Sequence, residues 1–128
     1  MNVNKPLIFL VEDSDPYRIL VQRVLEENGY FVLAFKDGLE AFKKLFKYEP
    51  RAIISDIQMP RMDGFQLREA TTESFPNNSI PFIYITSNTE SQTRQKAGSL
   101  GVNDFHIKPL DLDNFMNVLT MILNENVA

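Results

Sequence analysis

The stretch IISDIQMPRMDG (residues 53–64) runs from an apolar segment directly into a carboxylate, Asp56, and then into a turn that contains a proline and a glycine. A short apolar run bounded by turn residues is typical of a strand that is covered on both faces of a sheet. A carboxylate at the end of such a strand is either a loop cap or a functional group. The ends of the other predicted strands decide between these two interpretations.

Five apolar runs recur along the chain, and segments of helical character lie between them. The runs are PLIFLV (6–11), YFVLAF (30–35), AIIS (52–55), PFIYIT (81–86) and DFHIK (104–108). Helices are predicted at residues 16–28, 38–48, 64–74, 88–101 and 111–124. Strands that alternate with helices of about 10–15 residues indicate βαβ units and a parallel sheet. We therefore predict an α/β fold, a five-stranded doubly wound sheet flanked by five helices, in one domain over residues 1–128.

Two of the predicted helices have individual features. Asp15-Pro16 predicts the start of the first helix, as a cap followed by a first-turn proline, and Gly29 predicts its end. The segment NTESQTRQKAGSLG (88–101) is mostly polar, so we predict a weakly anchored helix that could move. A plain solvated helix is the alternative interpretation of that segment.

The composition excludes several kinds of site and partner. The chain has no cysteine, which excludes disulfides and thiolate metal sites, and its single histidine excludes a multi-histidine metal site. A net charge of −4 argues against direct nucleic-acid binding. No apolar stretch approaches the ~20 residues of a membrane span, and the first residues lack a signal-peptide pattern. We expect a cytoplasmic protein.

Polar groups end four of the five predicted strands, and the carboxyl ends of parallel strands meet at one edge of the sheet. These groups are Glu12, Asp13, Asp56, Thr86 and Lys108. Clustered carboxylates repel one another and raise the pKa of at least one of them. A hard cation with oxygen ligands, such as Mg²⁺, relieves that repulsion. The chemistry therefore predicts a Mg²⁺ site at the three carboxylates, to which a backbone carbonyl after Asp56 could add an oxygen.

Lys108 and Thr86 are not explained by a cation alone, because a metal site needs neither an ammonium nor a hydroxyl donor. A phosphoryl group uses both, since its transfer is catalysed mainly by positioning and charge neutralisation. A carboxylate can act as the nucleophile and form an acyl phosphate. Asp56 is central among the strands, and we interpret it as that nucleophile beside a metal.

Four pieces of the sequence occur in the order and spacing of a known family. They are FLVEDS (9–14), SDIQMPRMDG (55–64), YITS (84–87) and GVNDFHIKPL (101–110). Together they resemble the receiver domain of two-component response regulators, the CheY-like family, across nearly the whole chain. The resemblance implies a flavodoxin-like sheet with the strand order 2-1-3-4-5.

The resemblance also implies a role for each matched residue. Asp56 would be the phosphoacceptor, which takes a phosphoryl group from a histidine kinase or a histidine phosphotransfer protein. Asp13, Asp56 and the Gln58 carbonyl would ligate Mg²⁺ directly, and Glu12 would act through a bound water. Lys108 would pair with phosphoryl oxygens, and the bond from Lys108 to the proline that follows it is typically cis in this family.

A switch is the second implication of the resemblance. Thr86 would swing its hydroxyl onto the phosphoryl group, and Phe105 would then move inward as the switch aromatic, although it lacks the hydroxyl of the tyrosine that is common there. The face formed by residues 88–124 would present the change to another copy, an output domain or a downstream protein. Alternation along the strand points His106 away from Phe105 and from any partner ligand.

Three other functions compete with a phosphorylation switch. A protein that binds flavin mononucleotide would need a phosphate-cradling loop after the first strand, where this chain has the acidic segment EDSDP (12–16). A Mg²⁺-dependent phosphohydrolase generally needs a second acid two residues after its nucleophile, and Gln58 stands there. A receiver-like interaction domain that is never phosphorylated is the remaining alternative. We expect no enzyme beyond self-phosphorylation from a donor and autodephosphorylation.

Overall fold

Strands and helices alternate along the whole described part of the chain. The computed structural model describes residues 5–77, 79–87, 91–99 and 104–125. The strands are β1 (Leu7–Val11), β2 (Phe31–Phe35), β3 (Ala52–Asp56), β4 (Phe82–Thr86) and β5 (Asp104–Ile107). The helices are α1 (Asp15–Glu27), α2 (Gly38–Lys44), α3 (Gly64–Ser74), α4 (Ser91–Ser99) and α5 (Leu112–Glu125). Each predicted strand and helix is present, so the prediction of an α/β fold is confirmed.

All neighbouring strands of the sheet are parallel, and their order is β2-β1-β3-β4-β5. The order confirms the flavodoxin-like arrangement that the resemblance implied. Val11 at the end of β1 lies opposite Ser55, and Asp56 at the end of β3 lies opposite Ile85. Because this register is in step across the sheet, the carboxyl ends of the three central strands form one edge.

The core is divided into two layers by the sheet. On one face, α1 and α5 pack against alternate strand residues such as Leu10 and Ile54, and on the other face α2 and α3 pack against Phe9 and Ile53. All five residues of β3 and all five of β4 are buried, as are four of the five in β1. Burying each large aliphatic side chain contributes about 1.5–3 kcal/mol. The three central strands therefore form a fixed platform beneath their carboxyl edge.

The ends of two helices differ from the prediction. Ser14, not Asp15, is the N-cap of α1, and its side chain makes no capping bond. Asp15 is instead the first helical residue, where an acid suits the helix dipole. The helix ends as predicted, because Gly29 has a φ of +91°, which a glycine adopts without strain.

The second helix is four residues shorter than the predicted segment 38–48. After Lys44 the chain tightens into bonds between residues three apart, from Leu45 N to Phe42 O (3.1 Å) and from Lys47 N to Lys44 O (3.0 Å). Leu45 stays buried, whereas Phe46 turns outward and is 66% exposed. The predicted helix was too long because Leu45 and Phe46 are both large and apolar and so extend the helical pattern, although only Leu45 belongs to the core.

The polar segment does form a helix, α4, within the predicted range 88–101, of which residues 88–90 and 100–101 lie outside the described part of the chain. Of the α4 side chains that the structure describes, Thr93 is half-buried and the others are exposed. Arg94 and Lys96 lie over the rings of Phe105 and Phe65, at 5.2 Å and 4.8 Å from the ring centroids. Weak anchoring is therefore supported, while movement of α4 stays a prediction.

No helix in the described residues has both the length and the apolar character that crossing a membrane requires.

Candidate functional site

Three carboxylates meet at the carboxyl edge of the sheet. Glu12 and Asp13 follow β1 directly and Asp56 ends β3, and one oxygen from each lies within 4.8 Å of the others. Glu12 is fully buried, Asp56 is 7% exposed and Asp13 is exposed. The convergence of these acids, predicted from the strand ends, is confirmed.

Lys108 directly follows β5, the edge strand, and its side chain reaches the same cluster. Its Nζ lies 2.6 Å from Glu12 Oε1 and 3.4 Å from Asp56 Oδ2. The backbone N–H of Lys108 donates to the Thr86 carbonyl (2.8 Å), which fixes the residue just beyond the end of β5. The Lys108–Pro109 peptide is cis, as the resemblance implied. The structure therefore places an ammonium beside the carboxylate interpreted as the nucleophile.

Burial and charge shift the pKa values of this pair. Burial raises the pKa of Glu12 to about 7, and the charge of Asp56 adds to this, while bonds from Lys108 and the Ser14 N–H oppose it. Burial would lower the pKa of Lys108, but its bond to Glu12 and the charge of Asp56 outweigh that and raise it. The ammonium is therefore charged at neutral pH, and the cluster holds more negative charge than one lysine neutralises.

The two oxygens of Asp56 have different surroundings. Oδ1 accepts a hydrogen bond from the Ile57 N–H at 2.7 Å, which is the contact expected of a loop-capping acid. Oδ2 faces the Lys108 ammonium. The loop-cap interpretation therefore describes one oxygen of Asp56, and the other points into the cluster.

The donor set suits a hard cation. All side-chain donors in the cluster are carboxylate oxygens, which Mg²⁺ and Ca²⁺ prefer. Glu12 Oε2 accepts a hydrogen bond from the Ser14 N–H (3.0 Å), and the buried Oε1 lies 2.6 Å from the Lys108 ammonium. A carboxylate oxygen has two lone pairs, so each of them can also bind a cation or a water molecule held by one. The acidic cluster therefore fits a divalent ion.

Thr86 and Phe105 share one face of the sheet. Thr86 ends β4 and is 1% exposed, and Phe105 lies opposite Tyr84 in the pairing of β4 with β5. Alternate strand residues point to the same face, so Thr86, Tyr84 and Phe105 lie side by side there. Phe105 is half-buried against the core layer of α2 and α3. Core packing and a role as switch aromatic are both compatible with this position.

His106 lies on the opposite face from Phe105, as predicted, and its ring packs edge-on against Phe115 at 5.2 Å. The prediction that it points away from any partner ligand did not include a contact that the structure shows, from its Nε2 to Asp104 Oδ2 at 2.6 Å. Residues two apart on a strand point the same way, which brings the two side chains together.

Gln58 is exposed, two residues after Asp56, and its carbonyl as a ligand stays a prediction. Sequence reasoning missed a different set of contacts around the connection from β3 to α3. Arg61 there pairs with Asp37 at the start of α2, and the Tyr84 hydroxyl donates to the Gly64 carbonyl at 2.7 Å. These partners are 20 or 24 residues apart, so no local pattern predicts them.

Comparison with known proteins gives one consistent family. A family model described as the response regulator receiver domain matches residues 8–120. The sensor protein EvgS of Escherichia coli (strain K12) is 36% identical over 106 residues, which cover 83% of this chain but 9% of EvgS. The chain therefore spans only a small part of that relative.

Two solved structures are similar over almost the whole chain. The signal receiver domain of a signal transduction histidine kinase from Syntrophus aciditrophicus has a TM-score of 0.86 and 29% identity, and the match covers 94% of this chain and 92% of that one. The chemotaxis protein CheY4 of Vibrio cholerae has a TM-score of 0.85 and 28% identity, with 92% and 98% covered. With the family match over residues 8–120, these results show that the chain belongs to the response regulator receiver domain family of two-component systems.

Proposed function

We propose that this domain is a phosphorylation-dependent signalling switch in which Asp56 accepts a phosphoryl group from a histidine of a kinase or phosphotransfer protein. The observation that carries the proposal is the position of Asp56. Its Oδ2 lies 3.4 Å from the Lys108 ammonium, and its carboxylate shares a cluster with Glu12 and Asp13. A loop cap would need neither the lysine nor the two further acids.

In the proposed reaction the P–N bond of the phosphohistidine breaks as a P–O bond forms at Asp56, and the histidine nitrogen leaves with the bonding pair. The bond from the Ile57 N–H to Oδ1 holds the carboxylate in one orientation, so that Oδ2 is the attacking oxygen. Lys108 then stabilises the charge on the phosphoryl oxygens, since phosphoryl transfer depends on positioning and charge neutralisation.

The acidic cluster is the proposed Mg²⁺ site. Asp13, Asp56 and the Gln58 carbonyl would be direct ligands, and Glu12 would hold a bound water. A bound Mg²⁺ supplies charge neutralisation for the phosphoryl oxygens. The site's surplus of negative charge over the single lysine supports the need for this cation.

The proposed response begins when Lys108 exchanges its contact with Glu12 for phosphoryl oxygens. Thr86 would bond to the phosphoryl group, and Phe105, on the same face, would move into the space that this opens. A phosphoryl group shifts the balance between existing conformations only by binding one of them better. The face of residues 88–124 would then engage another copy, an output domain or a downstream protein, in the cytoplasm.

An interaction domain that is never phosphorylated is the competing function. Such a domain would keep the fold and the 88–124 face, but it would not need an ammonium beside Asp56 Oδ2. The proposed domain is not an enzyme acting on a separate substrate, and its chemistry is limited to gaining and losing its own phosphoryl group.

The direct test is intact mass spectrometry after incubation with acetyl phosphate and Mg²⁺. We expect the mass of one phosphoryl group to be added, and the addition to be absent in Asp56→Asn and without Mg²⁺. Asp63→Asn is the matched control, because Asp63 is a carboxylate of the same connection that only caps α3. Labelling of Asp56→Asn, or no labelling of the wild-type protein, would contradict the proposal.

A further inference from the structure

The connection from β3 to α3, residues 57–63, is tied down beside Asp56. The Ile57 N–H donates to Asp56 Oδ1, and the Gly64 N–H donates to the Ile57 carbonyl at 2.8 Å. A Cβ at Gly64 would lie 2.5 Å from the Asp56 carbonyl oxygen. The two ends of the connection therefore pack directly against each other beside Asp56, and a side chain at Gly64 would not fit there.

The far side of the connection is tied to a different element, the start of α2. Arg61 Nε and Nη2 donate to Asp37 Oδ2 at 3.0 Å and 2.7 Å. Asp37 is 6% exposed and also caps α2 through a bond from the Glu40 N–H at 2.9 Å. The Gly38 N–H donates to the Met62 carbonyl at 3.1 Å. These contacts form what we call the loop clamp, the Arg61–Asp37 pair with the Gly38–Met62 bond.

Arg61 has a backbone conformation that needs outside support. Its φ is +66°, which is unfavourable for a residue with a side chain. The Met62 N–H donates to the Pro60 carbonyl at 2.8 Å, so Arg61 is the central residue of a strained three-residue turn. Such conformations persist where surrounding contacts enforce them, and they occur often at functional sites. The supporting contact here is the pair of hydrogen bonds from the Arg61 guanidinium to Asp37.

We propose that Arg61 and Asp37 are positioning residues of the cation site: the loop clamp holds the connection so that its carbonyls stay in place beside Asp56. Gln58, the predicted backbone ligand, lies between the base of the connection and the clamp. Neither Arg61 nor Asp37 belongs to the acidic cluster, so both act through the backbone. This inference rests on the proposed function, because it assigns the clamp a role in the binding of Mg²⁺.

Isothermal titration of Mg²⁺ into the full chain measures this directly. We expect Arg61→Gln to weaken binding about 10-fold, at the lower end of what loss of a supporting contact costs a metal site. Arg51→Gln is the matched control, since it removes the same charge from an exposed arginine at the other end of β3, and it should bind as the wild-type protein does. Arg61→Lys should rescue only part of the loss, because an ammonium cannot repeat the two-nitrogen contact.

A second variant separates positioning from simple stability. Asp37→Asn keeps an N-cap residue on α2 but removes the charge that Arg61 binds. We expect it to weaken Mg²⁺ binding as Arg61→Gln does, and the double variant to be no worse than either single one. A purely structural clamp would lower the melting temperature of these variants and leave their Mg²⁺ dissociation constants unchanged, which would overturn the inference. A wild-type protein without Mg²⁺ binding would instead refute the proposed function.

Discussion

β3 and β5 lie in the same sheet, on either side of β4, but they are packed very differently. Every residue of β3 is buried, whereas every residue of β5 is only half-buried. β3 ends on the proposed phosphoacceptor, and β5 carries the proposed switch aromatic. The proposed phosphoacceptor therefore lies on a strand that is buried throughout, and the proposed switch aromatic lies on a strand that is only half-buried.

The helices that cover the same face repeat this contrast. α3 begins with a reciprocal capping box and buries Phe65 and Leu67. The described side chains of α4 include none that is buried, and the helix contacts its neighbours through Arg94 and Lys96 over aromatic rings. Segments with few buried apolar contacts open at low free-energy cost. The comparison teaches that the proposed chemical site lies on well-buried elements, while the proposed responding region is weakly anchored.

The largest expected effect compares the same side chain on the two strands. Ile53→Ala in β3 should lower the free energy of unfolding by about 2–5 kcal/mol, because it opens a cavity in a fully buried layer. Ile107→Ala in β5 should cost less than half as much, since its site is half-buried and can relax. Urea unfolding followed by circular dichroism measures both values, and equal losses would break the contrast between the strands.

A smaller effect tests how α3 is fixed to the platform. Tyr84 is fully buried, and its hydroxyl donates to the Gly64 carbonyl at the start of α3. Burial keeps the hydroxyl protonated by raising the pKa of Tyr84 far above its usual range. Tyr84→Phe should lower the free energy of unfolding by about 1 kcal/mol, measured by urea unfolding. Tyr48→Phe, on an exposed ring, is the control and should change nothing measurable.

The stabilisation that the Arg61–Asp37 ion pair of the loop clamp contributes should depend on pH. Burial would raise the pKa of Asp37, but bonds from the Glu40 N–H and from Arg61 outweigh it and lower the pKa below the ordinary 3.8. The unfolded chain therefore takes up this proton first as the pH falls, so the stabilisation is present above about pH 4 and is lost below it.

Asp37→Asn should consequently cost roughly 0.5–1 kcal/mol at pH 7, and the difference from the wild-type protein should shrink as the pH falls below 4. Thermal unfolding across a pH series measures the two curves. A difference that is constant from pH 3 to pH 7 would show that the charge of Asp37 contributes nothing.

The smallest effect on stability concerns α4. Arg94→Gln removes the cation over the Phe105 ring, at a cost of about 0.5 kcal/mol or less for so exposed a contact. Amide hydrogen exchange should nevertheless become faster in α4, while the amides of β3 stay protected. Unchanged exchange in α4 would mean that contacts other than this one anchor the helix.

The fold and the acidic cluster could be predicted from the sequence because both depend on local patterns. Buried parallel strands are continuous apolar runs, and the strand ends share one edge, so the positions of Glu12, Asp13 and Asp56 along the chain are enough to predict that they lie together. The end of α2 and the loop clamp could not be predicted, because they depend on how side chains are packed across the fold, and a contact such as Arg61 to Asp37 leaves no periodicity in the sequence. The contact of His106 with Asp104, two residues earlier on β5, follows strand alternation, and sequence reasoning missed it.

The central claim is that phosphorylation at Asp56, at the end of the buried strand β3, changes the weakly anchored region of β5 and α4. Amide NMR spectra of the wild-type protein and of Asp56→Asn, recorded with Mg²⁺ before and after beryllofluoride is added as a phosphoryl mimic, test it most directly. We predict shifts at Asp56 and Lys108 that extend through β5 and α4, with little change in the core of β1 and β3, and none in the variant. Shifts that stop at the acidic cluster, or that persist in Asp56→Asn, would contradict the claim.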